Sequence, residues 1–169
     1  MRDILGDYES FIRTISEGLT VRGIARDELS MMDHVCYRVE TLERYNELLR
    51  TLQTDAELLG ESKVGGRMIA TFEFNQYLHV DGWTVPFLEL PAPKEESPYK
   101  EGLEHVELVV VGSLERFLLQ HDDLSFSRKG MSKAINPEAG LKDGDISVKF
   151  HEQQLGAVVR IEKKTGMAS

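Results

Sequence analysis

Two separate stretches of this chain repeat one another, and each carries a histidine at the same place. The first reads Asp33-His34-Val35-Cys36-Tyr37-Arg38-Val39 and runs on to Thr41-Leu42-Glu43-Arg44-Tyr45. The second reads Glu104-His105-Val106-Glu107-Leu108-Val109-Val110 and runs on to Ser113-Leu114-Glu115-Arg116-Phe117. The duplication has a second half. Asp81-Gly82 precedes an apolar run ending near Glu89, and Asp143-Gly144 precedes another ending at His151. A folded duplication therefore offers His34 and His105 from the repeat starts, with Glu89 and His151 from the repeat ends. Imidazole and carboxylate converging from separate elements make a metal-ligand set.

A chain of 169 residues with 41% hydrophobic content is long enough to bury a core as one domain holding both repeats. Its net charge of −9 argues against nucleic acid and against an anionic membrane surface, both of which need clustered Lys and Arg. The single cysteine, Cys36, excludes an intramolecular disulfide framework and fits a reducing compartment. Met1-Arg2-Asp3-Ile4 lacks the features of a signal peptide, and no apolar run approaches the ~20 residues of a membrane span. The expectation is a soluble, cytoplasmic protein whose partner is a small molecule. Its oligomeric state is not legible.

Hydrophobic spacing supplies the order of elements. Ile4, Tyr8, Phe11, Ile12, Ile15 and Leu19 recur at helical intervals, with Gly18 and Gly23 read as bracketing the helix end. Strand alternation over 32–39 is followed by a helix at 42–52, then strands at 56–64, 67–74 and 83–90, with a hairpin at Gly65-Gly66. After the proline-broken connector 91–98 come a strand at 104–111, a short helix at 114–120, a weaker strand at 124–128, a loop at 130–138, and strands at 139–141 and 146–151. The reading is a single α+β domain of paired βαβββ modules forming an eight-stranded cup. Its parts are a helical leader at 1–30, the first module at 31–92, a linker at 93–103, the second module at 104–152 and a tail at 153–169. The tail begins as a short helix and frays at its end.

Period-two alternation tests the ligand set, because a strand with a helix on one side and a cavity on the other must segregate its residues. Val35, Tyr37 and Val39 share one face while His34, Cys36 and Arg38 share the other. The second repeat divides into Val106, Leu108 and Val110 against His105, Glu107 and Val109. Phe150 and Val148 likewise oppose His151 and Lys149, and Leu88 opposes Glu89. Each candidate ligand lies opposite the face suited to a helix.

Strand-helix-strand-strand-strand modules with ligands on their first and last strands resemble the vicinal-oxygen-chelate superfamily, which includes glyoxalase I and extradiol dioxygenases. The stretches Asp33-His34-Val35, Phe87-Leu88-Glu89-Leu90-Pro91-Ala92-Pro93, Tyr99-Lys100-Glu101-Gly102-Leu103-Glu104-His105-Val106-Glu107, Asn136-Pro137 and Val148-Lys149-Phe150-His151 are similar to the bacterial YecM-like family. The resemblance implies metal binding, with His34, Glu89 and His105 at the superfamily's ligand positions. His151 stands where glyoxalases usually carry a second glutamate, and Lys149 on the same face is an alternative cation there.

A site of this kind suits Zn, Fe, Mn, Co or Ni, and it implies an enzyme that chelates neighbouring oxygens of a small metabolite. Isomerase, lyase and dioxygenase-like chemistry are all compatible with it. Glu107 is the candidate base, and Arg38 or Lys149 would hold a substrate carboxylate. The competing reading is a noncatalytic protein that binds a metal or small molecule in the same cup. Cys36 reads as a small buried hydrophobe rather than a nucleophile. Asn136-Pro137 reads as a loop at the border of the cup.

Overall fold

The computed structural model describes residues 1–94 and 98–165, with side chains described through Arg160. Part of the expected connector, and the end of the tail expected to fray, lie outside these residues. β1 (Leu29–Arg38) is followed by α3 (Leu42–Thr51), β2 (Ala56–Val64), β3 (Arg67–Val80) and β4 (Trp83–Pro91). The second repeat supplies β5 (Gly102–Val110), α4 (Leu114–Gln120), β6 (Glu138–Asp143) and β7 (Ile146–His151). Ahead of them run α1 (Arg2–Leu5) and α2 (Tyr8–Val21), and the chain ends in α5 (Leu155–Thr165). Among the described residues no helix is long and apolar enough to cross a membrane.

The strands form one seven-stranded sheet in the order β2-β3-β4-β1-β5-β7-β6. β1 and β5 meet antiparallel at its centre, with His34 opposite Glu107 and Cys36 opposite His105. Carrying His34 onto His105 and Cys36 onto Glu107 exchanges those two pairs, so the repeats are related by a pseudo-twofold axis between the central strands. The helices start alike. Thr41 accepts from the backbone N–H of Arg44 at 3.1 Å and Ser113 from that of Arg116 at 3.3 Å, the N-cap bond that satisfies an otherwise unpaired donor.

An eighth strand does not form among the described residues. The segment at 124–128 pairs with β6 only through Ser127 and Gly140. The first module joins β2 to β3 through Gly65-Gly66, both at positive φ, which is the tight turn that propagates a ladder. The second has residues 129–137 at that place, including a 3-10 turn at Lys129–Ser132. Phe126 is still anchored, packing against the rings of Phe117 and Phe150.

One face of the sheet is the core. Ile12 and Ile15 of α2, Tyr45 and Leu48 of α3, and Phe117 of α4 join Val35, Leu88, Val106 and Val148 in a single buried cluster. The two Asp-Gly hairpins are tied to α2, because Arg13 bonds Asp81 at 2.8 Å and Arg22 bonds Asp143 at 2.6 Å. Gly18 does not end α2 but lies within it. A Cβ there would collide with the Ile146 side chain, so the glycine permits the close approach of helix to sheet. Replacing Gly18 by alanine should therefore destabilise the protein by about 1–3 kcal/mol despite alanine's better helix propensity. The check is a lower urea midpoint at unchanged m-value.

Candidate metal and small-molecule site

The opposite face of the sheet carries a cavity of about 480 Å³, into which His34, Glu89, Glu107, Lys149 and His151 all project. Its far wall is α5, which contributes Leu155, Val158 and Val159. Val64 and Ile69 add to the apolar wall, and Asn136 brings the expected loop to its border.

Asp33 also lines this cavity, which strict alternation forbids for a neighbour of His34. The reason is a bulge. The β1–β5 register shifts between Met32 and His34, so Asp33 is the extra residue and turns to the same side as the histidine. Its carboxylate lies 3.1 Å from His34 Nδ1 and accepts the backbone N–H of Leu155 at 2.9 Å, at the N-terminus of α5. One side chain therefore orients the imidazole and anchors the helix that walls the cavity. Asp33 favours a proton on Nδ1, so Nε2 is the nitrogen that faces inward, carrying the second proton while the ring is charged and a lone pair once that proton is displaced.

What Nε2 faces is carboxylate oxygen. His34 Nε2 lies 3.4 Å from Glu107 Oε1 and 3.6 Å from Glu89 Oε2, while His151 Nε2 lies 3.5 Å from Glu107 Oε2 and 3.6 Å from Asp33 Oδ2. These distances are long for hydrogen bonds. Among the described residues, nothing hydrogen-bonds to buried His34 Nε2 or to either buried ring nitrogen of His151. Such orphaned groups call for an explanation, and a capacity to ligate a cation is one.

The electrostatics divide the two imidazoles. Burial opposes protonation of His34, but Glu107, Glu89 and the bond to Asp33 outweigh it and raise its pKa well above the usual imidazole range. Burial dominates at His151, whose pKa falls below that range. Glu107 receives Lys149 Nζ at 2.6 Å and His105 Nε2 at 3.1 Å. Burial pushes its pKa up, yet Lys149, His34 and His105 together hold it well below the ordinary carboxylate value. An anion so stabilised suits coordination of a cation better than acceptance of a proton.

The remaining candidates lie farther back. His105 reaches the cluster through Glu107 and does not line the cavity, although one ligand atom each from His34, His105 and Glu107 fall within 4.8 Å of one another. Arg38 is outside the cavity, its guanidinium 3.1 Å from Glu104 and stacked 4.6 Å over the Tyr99 ring.

Sheet register corrects one pairing suggested by the hairpins. β1 sets Cys36 beside Glu89, and β5 sets Glu107 beside Lys149. The pseudo-twofold equivalent of Glu89 is therefore Lys149, with His151 one turn of the alternation beyond it. Counting from the Asp-Gly turns misleads because β4 has 9 residues and β7 only 6. Lys149 thus places an ammonium group where the first module has a carboxylate, and its carboxylate neighbours Glu107 and Glu138 overcome burial to raise its pKa further.

Comparison with known proteins yields a consistent set. The family model described as YecM protein matches residues 1–162. Protein YecM of Escherichia coli strain K12 is 30% identical over 183 aligned positions, covering 96% of this chain and 94% of that protein. The solved structure of the structural-genomics protein EC4020 has a TM-score of 0.77 at 28% identity, covering 95% of this chain and 92% of that one. Methylmalonyl-CoA epimerase from Mycobacterium tuberculosis shares the fold with a TM-score of 0.52 at 16% identity, over 81% of this chain and 99% of that one.

Proposed function

This chain belongs to the YecM protein family, and on that footing we propose that it is a divalent-metal-dependent protein acting on a small oxygenated molecule held in the cavity beneath α5. The observation that carries the proposal is the pair of buried, unpartnered imidazole nitrogens, His34 Nε2 and His151 Nε2, facing carboxylate oxygens at 3.4–3.6 Å. Atoms bonded tetrahedrally to one ion at ~2.0–2.2 Å lie about 3.4 Å apart, and each of these imidazole-to-carboxylate contacts is close to that length. His34, Glu89, Glu107 and His151 would hold it. The nitrogen-and-oxygen donor set suits Zn, Fe, Mn, Co or Ni.

A bound ion of this type supplies Lewis-acid polarisation of a substrate oxygen. The chain supplies the rest. Asp33 keeps His34 in one tautomer, and Lys149 pins Glu107 while presenting a permanent positive charge to a substrate oxyanion. Val64, Ile69, Leu155 and Val158 enclose the body of the molecule and exclude water. These elements are compatible with isomerase, lyase or dioxygenase-like chemistry.

A noncatalytic binding protein is the second reading, and the charge on Glu107 favours it. With that carboxylate's pKa depressed, the expected base is a weak proton acceptor. Calorimetric titration of tag-free protein with each metal, followed by hydroxy acids, thiol adducts, acyl thioesters and catechols, tests both readings. Turnover of any member supports the enzyme. Tight binding without turnover supports the binding protein, and no metal binding at all contradicts the site.

Proton linkage gives a further expectation. His34 has its folded pKa raised, so pairing of its protonated ring with Glu107 and Glu89 stabilises the metal-free fold below about pH 6.5, the unfolded value. That contribution is lost as pH rises through the elevated folded pKa. Metal must displace the same proton, so affinity should rise with pH across this window, with about one proton released per ion. Calorimetry in buffers of different ionisation enthalpy measures the release, and pH-independent affinity would contradict ligation by His34.

A further inference from the structure

The pseudo-twofold axis repeats more than a histidine. Asp33 is the bulged residue before His34, and the β1–β5 register shifts again between Cys36 and Tyr37, which makes Glu104 the extra residue before His105. Each module therefore turns an acidic side chain toward its own imidazole. The residue opposite each histidine completes a triplet, Glu107 in the first case and Cys36 in the second.

We infer that Cys36, Glu104 and His105 form a second cation site, behind the cavity, selective for a thiophilic divalent ion such as Zn²⁺ or Co²⁺. Cys36 Sγ lies 3.8 Å from Glu104 Oε2, and His105 Nδ1 lies 3.4 Å from that same oxygen. All three ligand atoms fall within 4.8 Å of one another. Bonds of ~2.3 Å to sulfur and ~2.0–2.2 Å to nitrogen and oxygen predict edges of about 3.6 Å and 3.4 Å. The Glu104–His105 edge has that length, and the Cys36–Glu104 edge is slightly longer.

The surroundings orient each ligand. The other carboxylate oxygen of Glu104 receives Arg38 at 3.1 Å, and the other ring nitrogen of His105 is 3.1 Å from Glu107. Carboxylate partners on the far nitrogen are the usual way a ligating histidine is fixed. Arg38 places a positive charge near the ion, which the thiolate and carboxylate together offset. Cys36 and His105 are buried, while the Glu104 side chain retains 24% exposure and supplies the way in. Thiolate sets this site apart from the nitrogen-and-oxygen site of the cavity.

The test is titration of cobalt(II) chloride into the reduced, tag-free chain, followed by absorption and native mass spectrometry. Cys36 is the sole cysteine, so a thiolate-to-cobalt charge-transfer band in the wild type can arise only there. The expected result is that band, with a second equivalent of metal beyond the one in the cavity. Cys36→Ser should lose the band and one equivalent, and Glu104→Gln should raise the midpoint of the band at least about tenfold. Glu89→Gln should leave the band in place, which separates this site from the cavity site. Absence of the band at saturating cobalt would overturn the inference, as would its persistence in Cys36→Ser or its loss in folded Glu89→Gln protein.

Discussion

Replacing His34 by alanine should abolish stabilisation of this protein by manganese(II), an ion that the Cys36 thiolate site disfavours. In the wild type, metal at a hundred times its dissociation constant should add about 2.7 kcal/mol, seen as a raised melting temperature. His34→Ala removes the nitrogen that faces both Glu89 and Glu107. The affinity loss should exceed the roughly 10–100-fold caused by losing an outer hydrogen-bond partner, leaving the melting temperature insensitive to the same metal concentration. A full metal-induced shift in the variant would remove His34 from the ligand set. The metal-free variant also leaves Glu89 and Glu107 facing each other without His34 between them, so its own melting temperature should fall at neutral pH.

Glu107→Gln should have the next largest effect, and its form discriminates between two roles. The amide keeps the shape of the side chain and removes the charge that Lys149, His34 and His105 surround. Coordination predicts that metal affinity drops at least about tenfold, since an uncharged oxygen replaces an anionic one. Proton transfer predicts retained metal and lost turnover, by about 10² or more. Calorimetry and a turnover assay on the same preparation distinguish the two outcomes. Our account expects the metal to be lost.

The fold was legible because duplication and alternation are local signals. The repeated His-Val with its following Thr/Ser-capped helix located β1, β5, α3 and α4 and implied the twofold relation. The segment at 124–128 was harder, since its alternation is intact and only the long connection at 129–137 keeps it from pairing beyond Ser127. In the site, His34, Glu89, Glu107, Lys149 and His151 could be placed on one face by parity alone. Asp33 could not, because a bulge breaks parity at that residue. The repeated acidic residue before each histidine was the available sign. Leu155 and Val158 were out of reach for a different reason, as nothing local in a short amphipathic tail says which surface it will cover.

Anomalous diffraction from a crystal of the tag-free protein grown with manganese, which thiolate disfavours, tests the central claim most directly. The account predicts a peak within bonding distance of His34 Nε2, His151 Nε2 and the carboxylates of Glu89 and Glu107, on the cavity side of the sheet. A fully occupied metal elsewhere, with the nitrogens of His34 and His151 hydrogen-bonded to water in the same crystal, would contradict it.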